Sequence, residues 1–515
     1  MSNQVAQIAE KFEKLVEKVL EKRPVLREII AKRGKKNLYD YAKDYINVNL
    51  NPPIKKRQDE LIGTFSAEVE RLFGKQIAEE AAHQLAAHYY VSTADHHGPL
   101  THPFFMNSNL LTAAPFFEHS DPLLKNVIVL ACGSISLNNS SWPRGLLFNS
   151  YAKGKIQTQK LSFFPAKDRL CPVFNYRSFT AEDLARTKSG LKDMVKSGDV
   201  QQEEADKIDA LLDEIYLRPD VLKLENFSDQ ITTTNFYLWK KFFGQKYVDE
   251  APNLIYLEQE SLVAKLITQY HLYADTIINH LLFDPDYDEL VDAHFEGIQG
   301  AFDRKENYGT YLFWALPKEG KYRTQMWKEG NKLVTDDGSY SIELKPEIIQ
   351  KALETKEIIP SMMLSYIVLA FYYGLKCLGG FSQVNYLTFL KNAYIKMNVD
   401  RGNYRSIEVC ARSQTKEMGG DFTLAFIEGP NGELVPSTGL DLILYGTDQT
   451  WPGLIAQSKT ISLEEGIFTL MPEFYRILYT EAERDPELLS LTSEDITKLL
   501  KLDKKVKACT KIKVR

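Results

Sequence analysis

Asn126-Val127-Ile128-Val129-Leu130-Ala131-Cys132-Gly133 is the stretch on which the fold turns. Its apolar run carries no polar alternation and is bounded by Asn and Gly. It therefore reads as a strand buried on both faces of a covered parallel or mixed sheet. In open α/β sheets, ligands bind beyond the carboxyl ends of such strands, where small residues expose backbone N–H groups to an anion. The continuation, Cys132-Gly133-Ser134 and then Asn138, Asn139, Ser140, Ser141, Trp142, Pro143 and Arg144, has the composition of such a loop. Ser134, Asn138 and Arg144 are thus candidate ligand-binding residues. Cys132 is either a small core residue ending a strand or a nucleophile, if an imidazole activates its thiolate.

Upstream lies an unusual concentration of imidazole. Six of the nine histidines fall within residues 83–119, and three occupy Asp95-His96-His97-Gly98-Pro99-Leu100-Thr101-His102-Pro103. Gly98, Pro99 and Pro103 forbid helix there and impose turns. Adjacent His96 and His97 would diverge in a strand but could converge with His102 in a turn, with Asp95 as an oxygen ligand or an orienting acceptor. Three readings stay open. Asp95, His96, His97 and His102 bind one divalent metal (zinc, iron or manganese), His96 and His97 act as metal-free acid/base groups, or the histidines form a structural network. The spacing matches neither HExxH nor a zinc finger. Asn107, just past the loop, joins the candidate substrate-binding residues.

Downstream, seven basic residues face the single acid Asp168 between Pro143 and Arg177. Lys167, Arg169 and Arg177 would suit a phosphate or carboxylate, or would form a solvated face. Phe163, Phe164, Phe174 and Tyr176 interleave with them, as in single-strand binders, but a net charge of −6 argues against nucleic acid as the partner.

The rest of the chain supplies context. Five widely spaced cysteines without CxxC show no disulfide framework, and the N-terminus shows no signal peptide, so the expected location is cytoplasmic. In the apolar stretch from Ile358 to Leu378 the uncharged run after Pro360 reaches only Leu375, short for a membrane span, and the stretch reads as a buried core helix stopped by Gly379-Gly380. Ser382, Gln383, Asn385 and Tyr386 follow it as pocket lining or loop polarity. Neither GxGxxG nor GxxxxGK[ST] occurs, so no nucleotide cofactor is indicated.

Helical periodicity covers residues 5–20, a long helix is expected from Thr64 to about Val91, and a helical hairpin broken at Ser197-Gly198-Asp199 spans Thr180–Pro219. Helices continue to about Leu281. Tyr311–Leu316, Lys321–Trp327 and Tyr340–Leu344 read as antiparallel strands, and Phe422–Glu428 with Leu442–Tyr445 as a second hairpin-like set. The expected fold is mixed α/β, with α+β as the alternative: a helix-rich body, a central mixed sheet and antiparallel hairpins in the second half. Segments 1–63, 64–180, 181–300, 301–460 and 461–515 are its expected divisions. The expected function is that of a soluble hydrolase or group transferase acting on a small anionic molecule, or of a non-enzymatic protein binding a ligand in the same pocket.

Overall fold

The computed structural model describes residues 3–48, 55–118, 121–316 and 322–512. Pro52-Pro53 and His119 lie outside them. The fold is mixed α/β. At its centre are four parallel strands: β1 Tyr90–Ser92, β2 Asn126–Ala131, β3 Asn253–Glu258 and β4 Lys376–Leu378. Their order across the sheet is β4-β1-β2-β3. β2 and β3 pair over their full length, from Asn126 opposite Asn253 to Ala131 opposite Glu258.

The unbroken apolar character of β2 follows from this position. Val127, Val129 and Ala131 enter one hydrophobic core with Tyr90, Leu254 and Tyr256. Ile128 and Leu130 point the other way, into a second core with Val91, Ile255 and Leu257. Helices Pro103–Ala113 and Phe227–Lys241 cover the first face, and Lys55–Phe73, Lys75–His88 and Gln259–Tyr270 the second. Each fully buried Val, Leu or Ile contributes about 1.5–3 kcal/mol relative to exposure, so a polar residue anywhere in Val127–Ala131 would be costly.

Several local expectations need correction. The single helix expected from Thr64 to Val91 is two helices, parted at Gly74, whose φ of +83° suits glycine. The second ends at His88. Tyr89 then adopts φ +46°, and the chain becomes β1, so His88, Ser92 and Asp95 share no helix face. Residues 253–258, expected as helix, form β3, whose Leu254–Leu257 core is buried beside β2. The 358–378 stretch is buried but only partly helical. Strand Ile358–Pro360, helix Met362–Tyr366 and a π-helical turn Ile367–Tyr372 lead into β4, so Gly379-Gly380 follow a strand rather than stopping a helix.

The expected helical hairpin is present as Ala181–Lys196 and Gln202–Leu211. Strands Phe313–Ala315, Thr324–Glu329 and Ser341–Glu343 appear as expected. They join Lys332–Thr335 and Ile358–Pro360 in a five-stranded antiparallel sheet. Phe426–Glu428 pairs with Leu434–Pro436, whereas Leu442–Tyr445 ends a helix, Gly439–Tyr445. The Thr438/Asp441 capping box starts that helix and overrides the strand-like look of Leu442–Leu444. Among the described residues, no helix is long and apolar enough to cross a membrane.

Candidate active site at the carboxyl edge of the sheet

The loops leaving all four parallel strands converge on one cavity of about 270 Å³. After β1 come Thr93, Ala94, Asp95 and His96, with His102 closing the loop. β2 supplies Cys132, Ser140 and Ser141, β3 Gln259 and Glu260, and β4 Gly380, Phe381, Ser382 and Gln383. Tyr366, Tyr386 and Asp421 complete the inner wall. This is the position at which open α/β sheets bind ligands.

The β1 loop is locked to β2 by backbone pairing, with Cys132 N–H donating to the Asp95 carbonyl and His97 N–H to that of Cys132. Asp95 is thereby carried into full burial. Its Oδ2 accepts from Asn109 Nδ2 at 2.8 Å. The Tyr256 hydroxyl stands nearby but donates to the His96 carbonyl at 2.9 Å, leaving Asp95 Oδ1 without a hydrogen bond of ordinary geometry among the described residues. Burial without a cation raises its pKa to about 7. Asp421 accepts from the Phe381 N–H at 2.7 Å, and burial lifts its pKa to about 6. Its approach depends on Gly380, where a Cβ would stand 2.2 Å from Asp421 Oδ2.

The three loop histidines have three different roles. Asn139 Oδ1 accepts from the Ser141 N–H and also contacts His96 Nδ1 at 3.0 Å. Nδ1 therefore carries the His96 proton and Nε2 keeps its lone pair. His102 Nδ1 accepts the Phe104 N–H at 3.3 Å, capping helix Pro103–Ala113, so its proton is on Nε2. His97 leaves the cavity altogether. Its Nε2 meets Ser228 Oγ at 3.0 Å and the Ser228 carbonyl at 3.1 Å, and its ring stacks on Tyr256. Burial depresses the pKa to about 4 in His96 and His97 and to about 3 in His102, so all three are neutral near pH 7. Asp95, His96 and His102 thus line one cavity, and His97 does not. Among the described residues, no three His, Cys, Asp or Glu groups are arranged to hold a metal ion.

The Cys-Gly-Ser turn does expose its N–H groups to an anion, but the anion is the chain's own. Glu260 accepts from Gly133 N–H at 2.8 Å and Ser134 N–H at 3.0 Å, and from the Cys132 thiol at 3.3 Å. Burial raises the pKa of Glu260 and pushes the Cys132 thiol up as well, leaving it un-ionised at neutral pH. Glu258 lies beneath the same turn. A Cβ at Gly133 would stand 2.3 Å from its Oε1.

The other sequence candidates lie elsewhere. Ser134 is buried beside Glu260, and Asn138 is exposed. Asn107 ties helix Pro103–Ala113 to the 424–425 segment, its Oδ1 accepting both backbone N–H groups. Arg144 lies over the Trp142 ring, 4.3 Å from its centroid. Lys167 and Arg169 are exposed. Arg177 grips Asp183 through two bonds of 2.6 and 3.0 Å. None of these basic residues is among those lining the cavity, whereas Ser382, Gln383 and Tyr386 are. Asn385 instead accepts the Val25 N–H.

Asp421 and Glu260 escaped the sequence reading. Gly419-Gly420 before Asp421 was a usable signal, because a Cβ at Gly420 would stand 2.5 Å from Ala94 Cβ. No family model matches this chain, and no curated protein is significantly similar to it.

Proposed function

We propose that the cavity is the active site of an enzyme, a hydrolase or group transferase, that works by proton transfer through Asp95. The observation that carries this reading is a fully buried carboxyl lining the cavity at the sheet's carboxyl edge, with one oxygen unpartnered. A group with a pKa of about 7 can both give and take a proton near neutral pH, which is the requirement for general acid–base catalysis. Asp421 supplies a second carboxyl of pKa about 6. His96 Nε2 offers an acceptor and His102 Nε2–H a donor to orient the substrate. No lysine or arginine is among the described lining residues, so the lining favours an uncharged or cationic substrate over the small anion expected from the basic segment.

A second reading has its own support. The Cys132 thiol bonds to Glu260 and Ser134 rather than to an imidazole, so the nucleophile–base pair of covalent catalysis is missing there among the described residues. That favours simple ligand binding in the same cavity. Incubating the protein with a complex metabolite extract and following depletion by mass spectrometry separates the two. The enzyme reading expects a component consumed by the wild type and spared by Asp95→Asn. A component retained on the protein but never converted supports ligand binding.

A further inference from the structure

We infer that the cavity binds a protonated primary amine carried on a small apolar body, its ammonium held between Asp95 and Asp421. This rests on reading the cavity as the functional site. The cavity presents carboxyl groups with no lysine or arginine among its described lining residues. Of its four carboxyl groups, Glu260 is engaged by the Gly133 and Ser134 N–H groups, and Glu473 sits at the rim, 3.7 Å from Arg476. Asp95 and Asp421 remain, both buried, and Asp95 Oδ1 has no partner among the described residues.

Arg23, a buried cation behind the wall, does not answer them, since it spends Nε and Nη2 on Ser382 Oγ and Nη1 on the Lys22 carbonyl. Buried carboxylates are stable when paired, so an arriving ammonium would supply what the fold omits. Three N–H donors on one centre match two carboxyls and the His96 Nε2 lone pair. The remaining wall is aromatic. Phe105, Phe381, Tyr366 and Tyr386 line the cavity, and such faces attract a cation and cover an apolar body. At about 270 Å³ the cavity is at the small end for ligand pockets, which suits a body the size of one ring.

The test is calorimetric titration of the full chain with phenethylamine, phenethyl alcohol and 3-phenylpropionate. The amine should bind roughly tenfold or more tightly than either analogue, the difference one charge-assisted hydrogen bond makes. Asp95→Asn should weaken the amine by about tenfold while leaving the alcohol within about twofold. Because Asp95→Asn could disturb folding, Ile477→Lys provides an independent variant. Ile477 is 53% exposed on the cavity wall, and a lysine there should repel the amine several-fold more than Ile477→Gln does. The inference is overturned if the alcohol or the carboxylate binds as tightly as the amine, or if both charge variants leave amine affinity unchanged. Should none of the three bind while other fragments occupy the cavity, the amine falls and the site stands. A cavity that stays empty removes both.

Discussion

Glu260→Ala tests whether the turn after β2 is held by an internal carboxylate. In the wild type, Glu260 satisfies two buried backbone donors, at 2.8 and 3.0 Å. Truncation leaves both unpaired, at about 1–3 kcal/mol each. Against that loss stands relief from burying a carboxyl, the effect that raises its pKa. The donors should win, because their bonds already offset much of that burial cost in the wild type. A net loss of about 2–4 kcal/mol follows. Glu260→Gln keeps one acceptor oxygen but turns an amide N–H₂ toward a donor, so about half the loss is expected. The assay is urea unfolding followed by far-UV circular dichroism, with and without formate. Formate is the carboxylate that truncation removes, and the vacated turn should bind it and recover part of the stability of the alanine variant alone. An alanine variant within about 0.5 kcal/mol of wild type, indifferent to formate, would refute the reasoning.

Asp95 sets a pH dependence of definite sign. Its folded pKa of about 7 lies above the usual carboxylate value, so its contribution to stability is fully present below about pH 4 and is lost as pH rises through 7. Asp95→Asn should therefore gain on wild type by up to a few kcal/mol between pH 5 and pH 8. Thermal melts at the two values check this, and a relative loss at pH 8 contradicts it. Gly380→Ala, which puts a methyl 2.2 Å from Asp421 Oδ2, should cost about 1–3 kcal/mol and weaken cavity ligands. Equal melting and equal binding would show that Asp421 is free to move. Arg177→Ala should lose the two bonds to Asp183 with their capping support, the bond to the Ser178 carbonyl and the contacts with the Phe164 and Tyr176 rings, about 1–2 kcal/mol in all, with cavity ligands unaffected. An accompanying loss of ligand would restore the basic segment to the site.

The sequence and the structure agree where one force dominates. β2 was readable because burial on both faces keeps Val127–Ala131 apolar. The Pro- and Gly-bounded histidine loop was readable because those residues exclude regular structure. β3 was lost because a four-residue apolar run, Leu254–Leu257, flanked by helical periodicity looks like more helix until a partner strand is present. The Leu442–Tyr445 error has the same root, a short apolar run whose state was set by a cap four residues upstream, Thr438. At the site, the sequence located the loop and the Cys-Gly-Ser turn but not their partners. Glu260 is 126 residues from Ser134, and Asp421 is 40 from Phe381, and only the fold brings each pair together. The basic segment misled because charge density along a chain does not say which way the side chains face. Arg177 turns to Asp183 and Arg144 to Trp142.

The proposed function makes Asp95 the mark of the functional site, and soaking crystals of the full chain with a fragment library puts that to the test. Fragments should concentrate in the cavity, with polar atoms within hydrogen-bond distance of Asp95 Oδ1. Fragments gathered elsewhere, with the Asp95 cavity vacant throughout, would contradict the account.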